Sequence, residues 1–307
     1  MERQYDLLVI GAGPAGMTAA LYGSRAGLTT AMIEVSAPGG KLVKTAEISN
    51  WPGIKETAGA QLAYEMFDHV TSLGAEYIYG NVIKVEDGTP YKKVICEDGM
   101  VYAGKAVIVA TGTKERLMEI PGEAENIGRG ISFCAVCDGA FFRGKDVAII
   151  GGGNSALEEA MYLAQMAKTV YILIRRDVFR ADTIVQEQLK QYDNIQVLKK
   201  VIPYEVKDDG SKVTALIYQD VETKETHTLD VSGIFPYIGL DPITEFLEDL
   251  PVCDERGYIV TDQNCETAVK GIYGAGDVIV KGLRQVVTAV NDGAIAAQHA
   301  FHKIKGI

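Results

Sequence analysis

Basic charge, tryptophan, histidine and long apolar runs are all scarce in this chain of 307 residues. Thirty Lys and Arg stand against 41 Asp and Glu, a formal net charge of −11, which disfavours nucleic acid or an anionic membrane surface as the main partner. No apolar run approaches the roughly 18 residues of a membrane span. The opening "MERQYDLLVIGAG" has neither the apolar stretch nor the cleavage site of a signal peptide. Cysteine is sparse at five, the usage of a reducing, cytoplasmic compartment, where a close pair is catalytic or metal-binding more often than structural. With only four histidines, the two further ligands that zinc would need beside a C-x-x-C pair are hard to find, and no metal is expected. Cys96, Cys253 and Cys265 are expected to be small buried apolar residues.

What is present is a hydrophobic share of 47%, enough for a chain folded throughout, and a length that at about 150 residues per domain predicts two domains. An internal repeat organises them. "LLVIGAGPAGMTAALYGSRAGLTTAMIE" (7–34) aligns without a gap with "VAIIGGGNSALEEAMYLAQMAKTVYILI" (147–174) at an offset of 140. Each copy is a buried strand, a Gly-rich turn, an Ala-rich helix and a second β-branched strand, so each reads as a βαβ nucleotide-binding unit. In the first, Gly11, Gly13 and Gly16 match G-x-G-x-x-G, and Glu34 follows 18 residues after Gly16, where a carboxylate accepts from ribose hydroxyls. In the second, Gly151 and Gly153 match and Ala156 takes the third place. There the counterpart of Glu34 is Ile174, followed by Arg175, Arg176 and Arg180; guanidinium groups favour a 2′-phosphate and therefore NADP over NAD.

Between the repeats lies "FCAVCDGAFFRG" (133–144), with Cys134 and Cys137 only 14 residues before the second Gly-rich turn. A dithiol beside two nucleotide units implies a relay in which a nicotinamide hydride passes through a flavin to a disulfide, with FAD on the first unit and NADPH on the second. A thiolate attacks a disulfide, and an adjacent acid, Asp138, can take or return the proton. Phe141 and Phe142 are either core or aromatic anchors for a partner, with Arg129 and Arg143 at the rim. Two further readings stay open: a flavin-dependent dithiol oxidase, and a nucleotide-binding redox sensor without turnover.

Elsewhere, alternating segments near 77–86, 92–102, 195–206 and 212–235 predict small accessory sheets. "KAVIVATG" (105–112) and "GIYGAGDV" (271–278) read as strands ending at a cofactor. If the latter completes the first nucleotide domain, the second is an insertion. The expected fold is therefore α/β, two Rossmann-like domains with the second inserted in the first: residues 1–118 with 244–307, and 119–243. "EIPGE" (119–123) and "IGLDPI" (238–243) are the hinge candidates, about which the dithiol domain is expected to rotate between reduction and partner contact.

Cys134-Ala-Val-Cys137-Asp138-Gly139, "GGGNSA", "RRDVFRA" (175–181) and "LRQVVTAVNDGAIAA" (283–297) together resemble the low-molecular-weight thioredoxin reductase family over essentially the whole chain. The resemblance implies a homodimeric FAD and NADPH flavoprotein that reduces thioredoxin. It implies Cys137 as the thiol nearest the flavin, Cys134 as the one that attacks the partner, and Asp138 as the acid–base group. For FAD it implies Gly11, Gly13, Pro14, Ala15, Gly16, Glu34, Gly40, Lys41, Asn50, Thr111, Gly112, Asp277, Arg284, Gln285 and Val286. For NADPH it implies Gly153, Asn154, Ser155, Ala156, Arg175, Arg176 and Arg180. Two positions depart from the family pattern: Lys41 stands where Gln is common, and Ile174 where His commonly precedes the paired arginines.

Overall fold

The computed structural model describes residues 2–45, 48 and 50–307. The chain runs β1 (Glu2–Ile10), α1 (Pro14–Arg25), β2 (Thr30–Glu34), α2 (Gly59–Ser72), β3 (Glu76–Tyr79), β4 (Val82–Glu86), β5 (Lys92–Cys96), β6 (Val101–Val109) and β7 (Thr113–Glu115). It continues through α3 (Glu123–Asn126), α4 (Ala135–Asp138), β8 (Asp146–Ile150), α5 (Asn154–Ala164), β9 (Thr169–Ile174), α6 (Thr183–Leu189) and β10 (Ile195–Lys199). The remainder is β11 (Val201–Asp208), β12 (Val213–Asp220), β13 (Thr226–Asp230), β14 (Gly233–Pro236), β15 (Leu240–Pro242), β16 (Ile272–Gly274) and α7 (Val286–Lys305). These elements pack into two compact units: one runs to Lys114 and resumes at Asp241–Ile307, and the other is Glu115–Leu240. No helix among the described residues is long and apolar enough to cross a membrane.

In the first unit the sheet order is β3-β2-β1-β6-β5-β4, with β16 also on β6. Leu7–Ile10 pairs in parallel with Thr30–Ile33 on one side and Ala106–Val109 on the other. All four residues are buried, and burial on both faces is why the sequence there is a continuous apolar run with no alternation. One face carries α1 and α7, which meet through Ala15, Ala19, Ala289, Ala296 and Ala297. Small side chains let the two helix backbones come close: a Cβ on Gly293 would lie 2.2 Å from the Ala15 carbonyl oxygen.

The expectation of small separate sheets is corrected for β3, β4, β5 and β10. The first three extend the main sheet of this unit, and β10 extends the sheet of the other. Alternation marks a half-buried strand but does not name its neighbour. Here the free edge of β6 is divided, with Val101–Gly104 taking β5 and Val107–Val109 taking β16.

The second unit holds a parallel sheet ordered β10-β9-β8-β14. Against one face α5 and α6 bury Leu157, Leu163, Val185 and Leu189 with Ile149, Ile172 and Phe235. Beneath the other lies the expected accessory sheet, β11-β12-β13, antiparallel, contributing Val206, Val213 and Leu216 to a core with Ile150 and Leu173.

Substituting Gly293→Ala forces α7 off α1, and overpacking of this kind costs about 1–3 kcal/mol, or roughly 2–12 °C in melting temperature for a unit of this size. Gly153→Ala, whose Cβ would meet nothing within 4 Å, is expected to melt with the native chain. Calorimetric melts that fail to separate the two variants would refute the packing argument.

Candidate active site

In the first unit the Gly-rich turn is shaped by contacts that admit no side chain. Gly11 holds a positive φ of 102°, and a Cβ there would sit 2.5 Å from the Ala110 carbonyl oxygen. A Cβ on Gly16 would sit 1.9 Å from the Gly11 carbonyl oxygen. The turn therefore delivers the start of α1 to the carboxyl edge of the sheet. Pro14 occupies the first helical turn and no acid does, so the orphan N–H groups there favour an anion. Glu34 is partly engaged: Oε2 accepts from the Ala12 N–H at 2.9 Å and Oε1 from the Ser36 N–H and hydroxyl, both at 2.9 Å. Beyond it, a hollow of about 300 Å³ is lined by Val35, Tyr79, Gly80, Asn81, Glu97 and Asp98.

The other residues implied for FAD gather around this turn. The Gly39 N–H bonds the Ala12 carbonyl at 2.8 Å, bringing Gly40 against Gly13. Lys41 Nζ donates to Thr113 Oγ1 at 2.7 Å, Thr111 Oγ1 to the Ile243 carbonyl at 2.6 Å, and Asn50 to Gln285 at 3.0 Å. Burial raises the Asp277 carboxyl above its ordinary value, and the charges of Lys41, Lys281 and Arg284 pull it back. Gln285 caps α7 in a reciprocal box with Thr288, and Val286 is the first helical residue. Arg284 is placed differently from a free cation: its guanidinium donates to the carbonyls of Asp277, Lys281 and Ile279 at 3.1–3.2 Å and lies 4.4 Å from the Tyr258 ring. It shapes the loop before α7.

The second unit repeats the turn. Gly151 has a φ of 141°, and a Cβ there would lie 2.3 Å from the Tyr237 carbonyl oxygen. Gly153 is open. Asn154 and Asp182 bond reciprocally at 2.7 and 2.8 Å, the Gly152 carbonyl accepts from the Arg180 N–H at 2.7 Å, and Ala156 is buried while Ser155 is exposed. The side chains of Arg175, Arg176 and Arg180 are exposed at this same edge. Two groups escaped the sequence reading: Glu159 on α5 and Tyr237 after β14. Glu159 Oε2 and the Tyr237 hydroxyl are buried without a hydrogen-bond partner. Burial and then the neighbouring Glu158 charge push the Glu159 carboxyl up to about 7, and burial with the Glu159 charge raises the Tyr237 phenol. Buried polar atoms without partners are uncommon in folded proteins, where a water, an ion, a ligand or local strain accounts for them.

Cys134 and Cys137 form a disulfide, with Cα atoms 5.3 Å apart. Cys134 is the N-cap of α4, and its Sγ accepts from the Cys137 N–H at 3.1 Å. The residue implied to attack the partner is the less accessible of the two in this arrangement: Cys134 is 9% exposed, and Cys137 is the exposed one. Ser132, also missed in the sequence, holds Asp138 through a 2.6 Å bond from its hydroxyl to Oδ2 while its oxygen accepts from the Cys134 N–H at 3.1 Å. The remaining cysteines are poor thiolates. Burial pushes Cys96 up to about 11 and Cys265 up to about 12, and it raises Cys253, which is only half-buried.

A cavity of about 320 Å³ adjoins the dithiol turn, lined by Arg129, Ser132, Asp138, Phe141, Phe142 and Lys145 among others. The two phenylalanines separate here. Phe141 is 72% exposed, whereas Phe142 is 8% exposed and packs edge-on against Phe235 at 5.3 Å, because β14 brings Phe235 and the side-chain-free Gly233 beneath it. Phe142 is thus core. Arg129 is committed to the carbonyls of Ser211, Glu125 and Gly210 and holds the turn between β11 and β12.

Two Gly-rich dinucleotide turns, the second on a unit bearing an oxidised C-x-x-C pair, define a nucleotide-dependent disulfide oxidoreductase. The family described as pyridine nucleotide-disulphide oxidoreductase matches residues 5–293, and the chain belongs to it. It is 44% identical to a thioredoxin reductase of Bacillus subtilis over 304 residues, 99% of this chain and 96% of that one. Among solved structures it is similar to the thioredoxin reductase of Lactococcus lactis, with a TM-score of 0.97, 44% identity and coverage of 99% and 100%. The thioredoxin reductase of T. acidophilum gives 0.94, 34% identity and coverage of 98% and 99%.

Glu159 makes a pH prediction. Its folded pKa, about 7, lies above the ordinary 4.5, so as pH rises between these values the unfolded chain gives up its proton first and the folded state loses stability. Glu159→Gln should melt above the native chain at pH 8, with the difference fading towards pH 5. Parallel melting curves across that range would show that Glu159 is not the buried acid described.

Proposed function

We infer that the chain is an NADPH-dependent flavoprotein that reduces the disulfide of thioredoxin. The observation that carries this reading is the Cys134–Cys137 disulfide at a helix N-cap on the same unit as the second Gly-rich turn. The fit of each unit to its nucleotide supports it. In the first, the residues gathered around Gly11–Gly16 would hold FAD: the acid-free start of α1 for the pyrophosphate, Glu34 for the ribose, the hollow beside Val35 for the adenine, and the half-buried carboxyl of Asp277 for the ribityl hydroxyls. Bound there, the flavin supplies two-electron chemistry between a hydride donor and a disulfide. In the second, Gly153–Ala156 would receive the NADPH pyrophosphate, the three arginines its 2′-phosphate, and the orphaned Glu159 and Tyr237 atoms its polar groups.

The reaction balances as NADPH, one proton and a disulfide giving NADP⁺ and a dithiol. Cys134 then attacks a sulfur of the partner's disulfide; that S–S bond breaks, a mixed disulfide forms, and the leaving thiolate takes a proton. Cys137 attacks Cys134 in turn, which releases the partner as a dithiol and restores the Cys134–Cys137 bond. Cys134 suits the first role despite its burial, because the Cys137 N–H stabilises its thiolate. Asp138, oriented by Ser132, receives and returns the proton at the dithiol. Phe141 is the exposed aromatic beside the cavity and the docking anchor for the partner. We place the protein in the cytoplasm as a homodimer, as the family resemblance implies.

Anaerobic NADPH should bleach the yellow protein and raise its thiol count by two per chain; bleaching with no new thiols would refute the relay. Cys134→Ser should lose essentially all thioredoxin reduction while its flavin still bleaches. Phe141→Ala should raise KM for thioredoxin several-fold and leave turnover of a small disulfide dye intact, whereas Phe142→Ala should destabilise by about 3–5 kcal/mol and affect both substrates.

A further inference from the structure

We propose that Lys199 is a nucleotide-discriminating residue, its ammonium group binding the 2′-phosphate that separates NADPH from NADH. The inference rests on the NADPH reading above and adds a charge that lies outside the arginine run. In the parallel pairing of β9 and β10, Lys199 stands directly opposite Ile174, the last strand residue before Arg175 and Arg176. Neighbouring strands lie about 4.8 Å apart, so a four-carbon stem from Lys199 spans the gap to the position where those arginines begin. The face is also determined. Ile195 and Val197 pack into the helix-side core with Ile172 and Ile174, and strand alternation carries Lys199 onto that face at the carboxyl end of the sheet.

Ile174 cannot itself serve a phosphate. It is buried with its Cγ2 against Gly152, 3.0 Å from where a Cβ on that glycine would be. The adjacent strand supplies an exposed cation, Lys199, beside a position that has none. Lys200 prepares the surroundings. Its N–H meets the Arg176 carbonyl at 3.4 Å, which ties the end of β10 to the arginine run. Its ammonium pairs with Glu222 at 2.9 Å and with Asp177 at 3.9 Å, offsetting the one acid within residues 175–180. The edge is then net cationic where a doubly charged phosphate would sit, in a chain whose overall charge is negative.

The test is calorimetric titration of the flavin-loaded protein with 2′,5′-ADP and with 5′-ADP at low salt. Lys199→Gln should weaken 2′,5′-ADP about three- to tenfold, the scale of one exposed ion pair reinforced by a phosphate hydrogen bond, and leave 5′-ADP within a factor of about two. Lys199→Arg should restore the native value, and added salt should shrink the difference. Because Lys199 is exposed, both variants should melt with the native chain. A native preference for 2′,5′-ADP that Lys199→Gln leaves untouched overturns the role of Lys199 alone. A native protein with no such preference overturns the NADPH reading beneath it. Equal weakening of both probes would make Lys199 a general contact and also overturn the proposal.

Discussion

Backbone approaching backbone at a strand-to-helix turn is the constraint on which both units depend. In the first, α1 can begin at the sheet edge only because Gly16 brings no Cβ into the Gly11 carbonyl. In the second, the crowded position is Gly151, pressed on the Tyr237 carbonyl, and the third glycine of the pattern is replaced by a buried alanine. The two turns thus share one tight contact, Gly11 on the Ala110 carbonyl and Gly151 on the Tyr237 carbonyl, and the first adds a second where Gly16 meets the Gly11 carbonyl. In each case orphan N–H groups face the carboxyl edge of a parallel sheet, where an anion is most favourably held.

The first unit depends on residues far apart in sequence to finish its site. β16 and α7 come back after the whole second unit, and the loop between them is pinned several times. Arg284 ties together three carbonyls of that loop, Asp292 accepts from the Gly276 N–H at 3.1 Å and pairs with Lys281, and Gln285 reaches Asn50. A cation spent on backbone carbonyls loses little to solvent competition, because the carbonyls would otherwise be buried without donors. The site is thereby preformed by hydrogen bonds that need no ligand to order them.

How much of this was legible in the sequence follows from the range of each signal. The repeat, the two fingerprints, Glu34 and the arginine run are local patterns, and they stand where the sequence places them. Strand partnership was not legible, since β3, β4 and β5 show the alternation of an accessory sheet yet complete the main one. Phe141 and Phe142 are indistinguishable by type, and only β14 beneath the second decides which is core. Arg129 and Arg284 read as available charges until the carbonyls around them are known. Glu159, Tyr237 and Ser132 carry no motif at all: their signal is burial without a partner, or a bond to Asp138, and neither exists before the chain is folded.

The dithiol poses an electrostatic problem that its local geometry resolves. A chain of net charge −11, with Asp138 next to the pair, is a poor medium for a thiolate, because nearby negative charge favours the protonated thiol. The compensating interaction is short-ranged: Cys134 caps α4 and accepts the Cys137 N–H, so the stabilisation acts on one sulfur and not on its neighbour. That sulfur is also the buried one. With Cys134 as the nucleophile, as proposed above, a thiolate stabilised where access is poor would separate reactivity from exposure and require a partner to bring a complementary surface. The exposed Phe141 and the cavity beside it lie next to that turn, and on the proposed reading they would let surface recognition of a protein disulfide, and not thiolate chemistry alone, select the substrate.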